Sequence, residues 1–403
     1  MLGPLPYRLF VNPRFSSRRI ASLPEAGFQR AKAQITAWDG YEITPLRDLP
    51  GVAQQADLGA IRLKDEATRF GLGSFKALGG AYGVACVLAT ALAQRGFPSE
   101  GLSAELAKGS YRDVTKGVTV TCATDGNHGR AVAWGAQRFH CGCVIFVHSS
   151  VSQERVDAIA RYGAEVRRVP GTYDDAVREA ARQAAANGWF IVSDTSWSGY
   201  SEVPQQIMQG YRLMADEAAD QWRGERPTHV FVQAGVGGVA AAVSVQMRAR
   251  FQPAPELPAP QVIVVEPDRA ACLLASAEFG QPIAVPGNLD TLMAGLACGE
   301  PSPVAWQELN HGAAAFMAIP DEAAVACMRL LAAGGVVGGE SGVAGLAGCL
   351  LAASDPASRE LLGLDRSSRV LTFITEGATD PEVYRRLVGH LPEPIGRAGL
   401  FRA

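Results

Sequence analysis

Val118-Thr119-Val120-Thr121-Cys122-Ala123-Thr124-Asp125-Gly126-Asn127-His128-Gly129 reads as a strand running straight into a polar turn. The β-branched residues at its start suit a pleated, half-buried strand. Thr, Asp, Gly and Asn then favour a turn, because short polar side chains bond their own backbone and glycine accepts positive φ. An alanine-rich stretch to about Phe139 follows and predicts a helix. The same order repeats: a strand at Cys143-Val144-Ile145-Phe146-Val147, a helix from Ser152 to about Tyr162, a strand at 165–169, a helix at 173–187, and a strand at Trp189-Phe190-Ile191-Val192-Ser193 that ends at Asp194. Strands alternating with helices of this length predict βαβ units and a parallel sheet.

A second rhythm follows a long helix expected at 204–222. His229-Val230-Phe231-Val232-Gln233 is a strand leading into Gly235-Val236-Gly237-Gly238 and a helix at 239–250. Val262-Ile263-Val264-Val265 ends at Glu266, and helices near 268–279 and 321–333 flank a segment with no clear pattern. Gly338-Gly339-Glu340-Ser341-Gly342 opens a small-residue helix. Val370-Leu371-Thr372-Phe373-Ile374 ends at Thr375-Glu376-Gly377, and a last helix begins near Pro381. Upstream, a proline-punctuated arm covers residues 1–50. Ile61-Arg62-Leu63-Lys64 then precedes Phe70-Gly71-Leu72-Gly73-Ser74-Phe75-Lys76-Ala77-Leu78-Gly79-Gly80-Ala81-Tyr82, where Ser74 is the expected cap of a helix to about Gln94. Residues 96–116 read as a polar surface connection. The expected architecture is α/β, with two successive, mostly parallel sheets flanked by helices. The polar and glycine clusters all follow strands, and ligands in such folds bind beyond the carboxyl ends of the strands.

The chain has 403 residues and 48% hydrophobic residues, enough for about two domains with sizeable cores. The formal net charge is −3. No basic excess points to nucleic acid, and no polybasic run points to a membrane surface. Apolar windows stay shorter than a transmembrane span. Residues 1–8 lack the pattern of a secretory signal. The eight cysteines are scattered apart from Cys141 and Cys143, a poor zinc pattern with no second cluster. Reduced thiols in a cytoplasmic protein are the expectation, with no metal site.

Each polar cluster has a structural and a chemical reading. Lys76 falls in the first turn of its expected helix, where the helix dipole opposes a cation. It is either a solvated surface lysine or an amine of lowered pKa, able to condense with an aldehyde. The glycines at 235–238 make either a tight strand-to-helix turn or a phosphate cradle with free N–H donors. Read as Gly235-x-Gly237-x-x-Ala240, they also match a short dinucleotide fingerprint with Glu266 as the ribose ligand, although the spacing exceeds the usual ~20 residues. Thr124-Asp125-Gly126-Asn127-His128-Gly129 is an Asx-type cap, or a loop whose N–H groups hold a carboxylate while Asn127 bonds a phenolic oxygen and Asp125 acts as acid or base. Asp194 and Thr375 each end a strand, and serve as caps or as ligands for a cationic group and a ring nitrogen. Glu340-Ser341-Gly342 reads as packing.

Taken together, these motifs occur in one order and at separations that resemble the fold-type II pyridoxal-phosphate enzymes, the group of threonine dehydratase and the tryptophan synthase β-chain. The version Thr124-Asp125-Gly126-Asn127-His128, with Arg69-Phe70-Gly71-Leu72 before Ser74-Phe75-Lys76, is most similar to the diaminopropionate ammonia-lyase branch. The likeness covers roughly residues 40–390. It implies pyridoxal 5'-phosphate bound through Lys76, with Asn127 on the ring oxygen, Gly235, Val236, Gly237 and Gly238 around the phosphate, and Thr375 facing the pyridine nitrogen. A hydroxyl at that nitrogen suits β-elimination with limited carbanion build-up. Asp125 would be a second acid/base opposite Lys76, allowing both enantiomers of diaminopropionate to react. Thr124, Gly126 and His128 would complete the substrate site, and Asp194 would recognise the β-amino group. The resemblance further implies a large cofactor domain of residues 1–88 and 203–403, a small domain of 89–202, and a homodimer acting on a small amino acid. Ala378 stands where an acid is usual after Thr-Glu-Gly, which keeps a serine/threonine or 3-hydroxyaspartate dehydratase open. A nicotinamide oxidoreductase built on residues 235–240 would leave Lys76 and Asp125 without a role. A catalytically dead relative would be expected to have lost the lysine or the glycine loop, and both are present.

Overall fold

The computed structural model describes residues 3–16, 22–98, 101–124, 126–149, 151–252 and 258–392. Its strands are β1 (Arg8–Val11), β2 (Leu46–Asp48), β3 (Ala60–Asp65), β4 (Thr119–Thr124), β5 (Gly142–His148), β6 (Glu165–Val169), β7 (Phe190–Ile191), β8 (His229–Gln233), β9 (Gln261–Pro267), β10 (Ala315–Ile319) and β11 (Arg369–Ile374). One sheet has the order β1-β10-β9-β8-β11-β3-β2 and the other β6-β5-β4-β7. The smaller sheet is parallel throughout. In the larger one only the edge pairs β1–β10 and β2–β3 are antiparallel. β8 and β10 are buried along their whole length, as expected for parallel strands covered on both faces.

One hydrophobic cluster runs between the sheets. It joins Val120 and Ile145 of the small sheet to Val230 and Val264 of the large one through Leu78, Leu88 and Tyr211. A second lies on the far face of the large sheet, and a small third lies under the helix Tyr173–Asn187. The helix Ala77–Ala93 crosses the middle of the first cluster, and nearly all of it is buried. Glycine permits that position. A methyl group at Gly79 would lie 2.4 Å from Tyr211 Cε1, and one at Gly210 would lie 1.9 Å from Leu78 O. The helices Ala77–Ala93 and Glu202–Gln221 therefore meet backbone to backbone. The boundary expected at residue 88 falls inside the first of them.

The approach to this helix is pinned by buried charges. Arg69 pairs with Glu66 at 2.8 Å and with Glu217 at 2.7 Å, and Lys64 pairs with Glu217 at 2.7 Å. Breaking such a buried pair by removing one partner is costly, so the network anchors residues 64–69 against the helix that carries Glu217.

Three local expectations are corrected, and one unassigned segment is resolved. Ser74 does not cap a helix: it pairs with Glu376 in an isolated β-bridge, and the helix starts at Ala77 with Lys76 as the flanking residue. Residues 96–116 contain two short helices, Ser103–Ala107 and Arg112–Thr115. The strand expected at 189–193 is paired only over Phe190–Ile191. The unassigned segment holds the helix Pro303–Gly312 and β10. No helix among the described residues is long and apolar enough to cross a membrane.

Candidate active site

A cavity of about 340 Å³ lies at the carboxyl ends of β4, β5, β8 and β11. Lys76, Thr124, Asn127, His128, Asp194, Gly235, Val236, Gly237, Gly238 and Thr375 all line it. Residues up to 299 positions apart in sequence, Lys76 and Thr375, are thus gathered on one wall system, as the loop positions predict. Gly126 is not in the wall. Asp125 lies outside the described residues.

Lys76 Nζ lies 2.5 Å from Asp194 Oδ2. The rings of Phe75 and Tyr211 flank it at 5.3 and 5.7 Å. Burial pushes the Asp194 carboxyl up, but the charges of His128 and Lys76 outweigh it and hold the group well below the usual carboxylate range. Asp194 is therefore a buried anion beside an amine. His128 Nδ1 is 3.7 Å from the same oxygen. Its Nε2 lies 2.7 Å from Val192 O, and a carbonyl only accepts, so Nε2 carries the hydrogen. Burial keeps the Tyr211 phenol far above its ordinary pKa, so it stays protonated.

The glycine loop joins β8 to the helix Gly238–Arg250, with Gly237 at φ +100°. A methyl group at Gly235 would meet Cys298 Sγ at 2.9 Å. The first turn of a helix leaves backbone N–H groups unpaired, and this one begins at the cavity wall. Asn127 opens the helix Asn127–Arg138. Its Nδ2 donates to Glu376, and its Oδ1 accepts from Arg130 at 2.7 Å. Arg130 can only donate, so the amide is oriented with its nitrogen toward Glu376. The Thr124 hydroxyl accepts from the N–H of Gly126 at 2.9 Å and of Gly129 at 3.0 Å, which shapes the loop.

Several lining residues had no role in the sequence reading. Gln233 ends β8, and its Nε2 donates to Thr375 Oγ1 at 2.7 Å. Glu376 takes Asn127 and the Ser341 N–H. Tyr211 comes from mid-helix, where nothing in the local pattern marks it. Glu340, read as packing, pairs with Arg155 at 2.7 Å, and burial together with Glu376 pushes its carboxyl up to about 7. Glu266 is also corrected. It does end a strand, but it is fully buried and accepts from Leu273 N and Leu274 N at 2.8 and 2.7 Å, capping the helix Cys272–Phe279. The dinucleotide reading thereby loses Glu266 as its ribose ligand.

An amine, a glycine cradle at a helix start, an amide and a hydroxyl face one cavity, and this set fits a phosphorylated aromatic aldehyde. The chain belongs to the pyridoxal-phosphate dependent enzymes, whose family model matches residues 37–376. Diaminopropionate ammonia-lyase of Escherichia coli K12 is 41% identical over 360 residues, covering 87% of this chain and 88% of the relative. The crystal structure of the holo form of that enzyme from Escherichia coli superposes with a TM-score of 0.87 at 36% identity, covering 96% of this chain and 98% of the other. Its complex with an aminoacrylate-PLP reaction intermediate gives 0.84 at 36% identity, covering 95% and 97%.

Proposed function

We propose that the enzyme eliminates ammonia from 2,3-diaminopropionate, giving pyruvate and two molecules of ammonia with uptake of one water. The observation that carries this reading is the 41% identity to diaminopropionate ammonia-lyase along nearly the whole chain. The lysine–carboxylate pair in the cavity supports it, because a buried anion suits a substrate with a second amine.

When bound, pyridoxal phosphate supplies an aldehyde that captures the α-amine and a ring that acidifies the α-proton. Lys76 would hold that aldehyde carbon and, once displaced, take the α-proton at Nζ from one face. Asp125 would do so from the opposite face, so that both enantiomers react. The Asp194 carboxylate would hold the β-ammonium, with His128 beside it. Asn127 would bond the ring oxygen, Gly235, Val236, Gly237 and Gly238 the phosphate, and Thr375 the ring nitrogen. The N–H groups of Gly126 and Gly129 are committed to Thr124, so the Asn127 N–H is the donor we assign to the substrate carboxylate. We assign residues 89–202 to the smaller domain; the resemblance supports a homodimer, and the scattered cysteines support a cytoplasmic location.

The test is a visible spectrum of the purified protein before and after addition of D- and then L-diaminopropionate. A yellow band that shifts as pyruvate forms is the expected result. A band that responds only to hydroxyamino acids transfers the reading to a dehydratase. A protein that stays colourless with added pyridoxal phosphate overturns it.

A further inference from the structure

We propose that Gln233 is a positioning residue that fixes the Thr375 hydroxyl as a hydrogen-bond donor toward the ring nitrogen of the bound cofactor. The proposal rests on the assignment of Thr375 to that nitrogen.

Gln233 ends β8 and Thr375 follows β11, the neighbouring strand. The Gln233 side chain is fully buried. Its Nε2 has three oxygens around it: Gly342 O at 2.7 Å, Thr375 Oγ1 at 2.7 Å and Phe373 O at 3.2 Å. Two of them are carbonyls, which only accept. The amide therefore points its nitrogen at this trio, because the flipped form would set oxygen against oxygen. Its own Oε1 has no hydrogen-bond partner among the described residues. Residue 345 leaves just enough room for it, since a methyl group on Gly345 would lie 2.8 Å from Oε1. A buried acceptor left unpaired forfeits its hydration without recompense. Leucine or methionine would fill the same space without that cost, so the amide is retained for its donor side.

The consequence falls on Thr375. Its oxygen receives an N–H, so its own proton is not needed by Gln233. Among the described residues no other protein atom takes that proton, and Thr375 lines the cavity. The hydroxyl thus presents O–H to the cavity, and a donor there suits an uncharged ring nitrogen. The N–H received by its oxygen also strengthens its donation, because linked hydrogen bonds polarise one another. Without Gln233 the hydroxyl is released to turn toward Phe373 O or Gly342 O and offer a lone pair to the ring instead.

The competing account is that Gln233 only ties β8 to the turn at Gly342. A double-mutant cycle on the holoenzyme separates the two, using Gln233→Met, Thr375→Val and the pair. The readouts are the visible band of the bound cofactor and the dissociation constant for pyridoxal phosphate from spectral titration. We expect each single variant to shift the band and weaken cofactor binding on the order of tenfold, with the double no weaker than Thr375→Val alone. Losses that add in the double variant, or a Gln233→Met band identical to the parent, overturn the proposal. A silent Thr375→Val with a responsive Lys76→Ala overturns it differently, by showing that Thr375 does not face the ring. Should Gln233→Met not fold, Gln233→Asn withdraws the amide by one methylene and carries the same expectations.

Discussion

The Lys76 Nζ sits 2.5 Å from the Asp194 carboxylate and beside two aromatic rings, in a cavity wall that also holds Asn127 and Thr375. Among the described residues Lys76 is the one lysine lining the cavity, and an amine so placed is suited to condense with an aldehyde. Lys76→Ala is expected to lower turnover of both enantiomers of diaminopropionate on the order of 10³-fold or more, read as pyruvate formed with time. Asp125→Asn tests the two-face scheme. It should lower kcat for one enantiomer about 10²-fold or more and leave the other within a few-fold. Equal losses for both enantiomers would sink the assignment of Asp125 to the second face.

At the scale of elements, Glu266 shows how a strand end is used to build rather than to bind. It caps the helix Cys272–Phe279 from inside the protein, and burial pushes its carboxyl from 4.5 up to about 8 despite the two N–H donors. Between those values the folded state holds a proton that the unfolded chain has released. Stability from this group therefore falls as pH rises from about 4.5 to about 8, and stays lost above that. Glu266→Gln removes the titration. The thermal midpoint between pH 5 and pH 9 should then fall less steeply than in the parent, by the equivalent of a few kcal/mol at about 1.4 per pKa unit. Parallel curves for parent and variant would refute this. The same strand ends explain what was legible beforehand. β4, β5, β8, β9 and β11 were readable because β-branched or long apolar runs end in turn residues. β10 was not, because Ala315-Phe316-Met317-Ala318-Ile319 has one β-branched residue and its strand state comes from pairing with β9 and β1. Local chemistry alone makes Ser74 a helix cap, but the bridge to Glu376 overrides it. Gln233 and Glu376 stood in quoted motifs without a role, since their partners Thr375 and Asn127 lie 142 and 249 positions away.

At the scale of the whole molecule, the position of Lys76 depends on how the two sheets are joined. The helix that starts just after it is held by small residues on two sides. A methyl group at Gly80 would lie 2.9 Å from Ala131 Cβ, and one at Gly135 would lie 2.8 Å from Ala81 Cα. On the other side Gly210 places its backbone against Leu78 O, where a methyl group would sit at 1.9 Å. Gly210→Ala gains up to ~1 kcal/mol of helix propensity. Against that stands a clash with backbone, which no rotamer relieves, and overpacking a tight core costs roughly 1–3 kcal/mol or more. The clash wins, so a lower thermal midpoint is expected. Relief of the clash moves one helix relative to the other, and Lys76 moves with it. A displacement of ~1 Å in a reacting group costs about 10²-fold in rate. Soluble Gly210→Ala protein should therefore show a kcat loss out of proportion to its stability loss, and a shifted cofactor band. Gly51→Ala is the control, because a methyl group there meets nothing within 4 Å. If Gly210→Ala matches that control in midpoint and kcat, the helix crossing does not set the lysine.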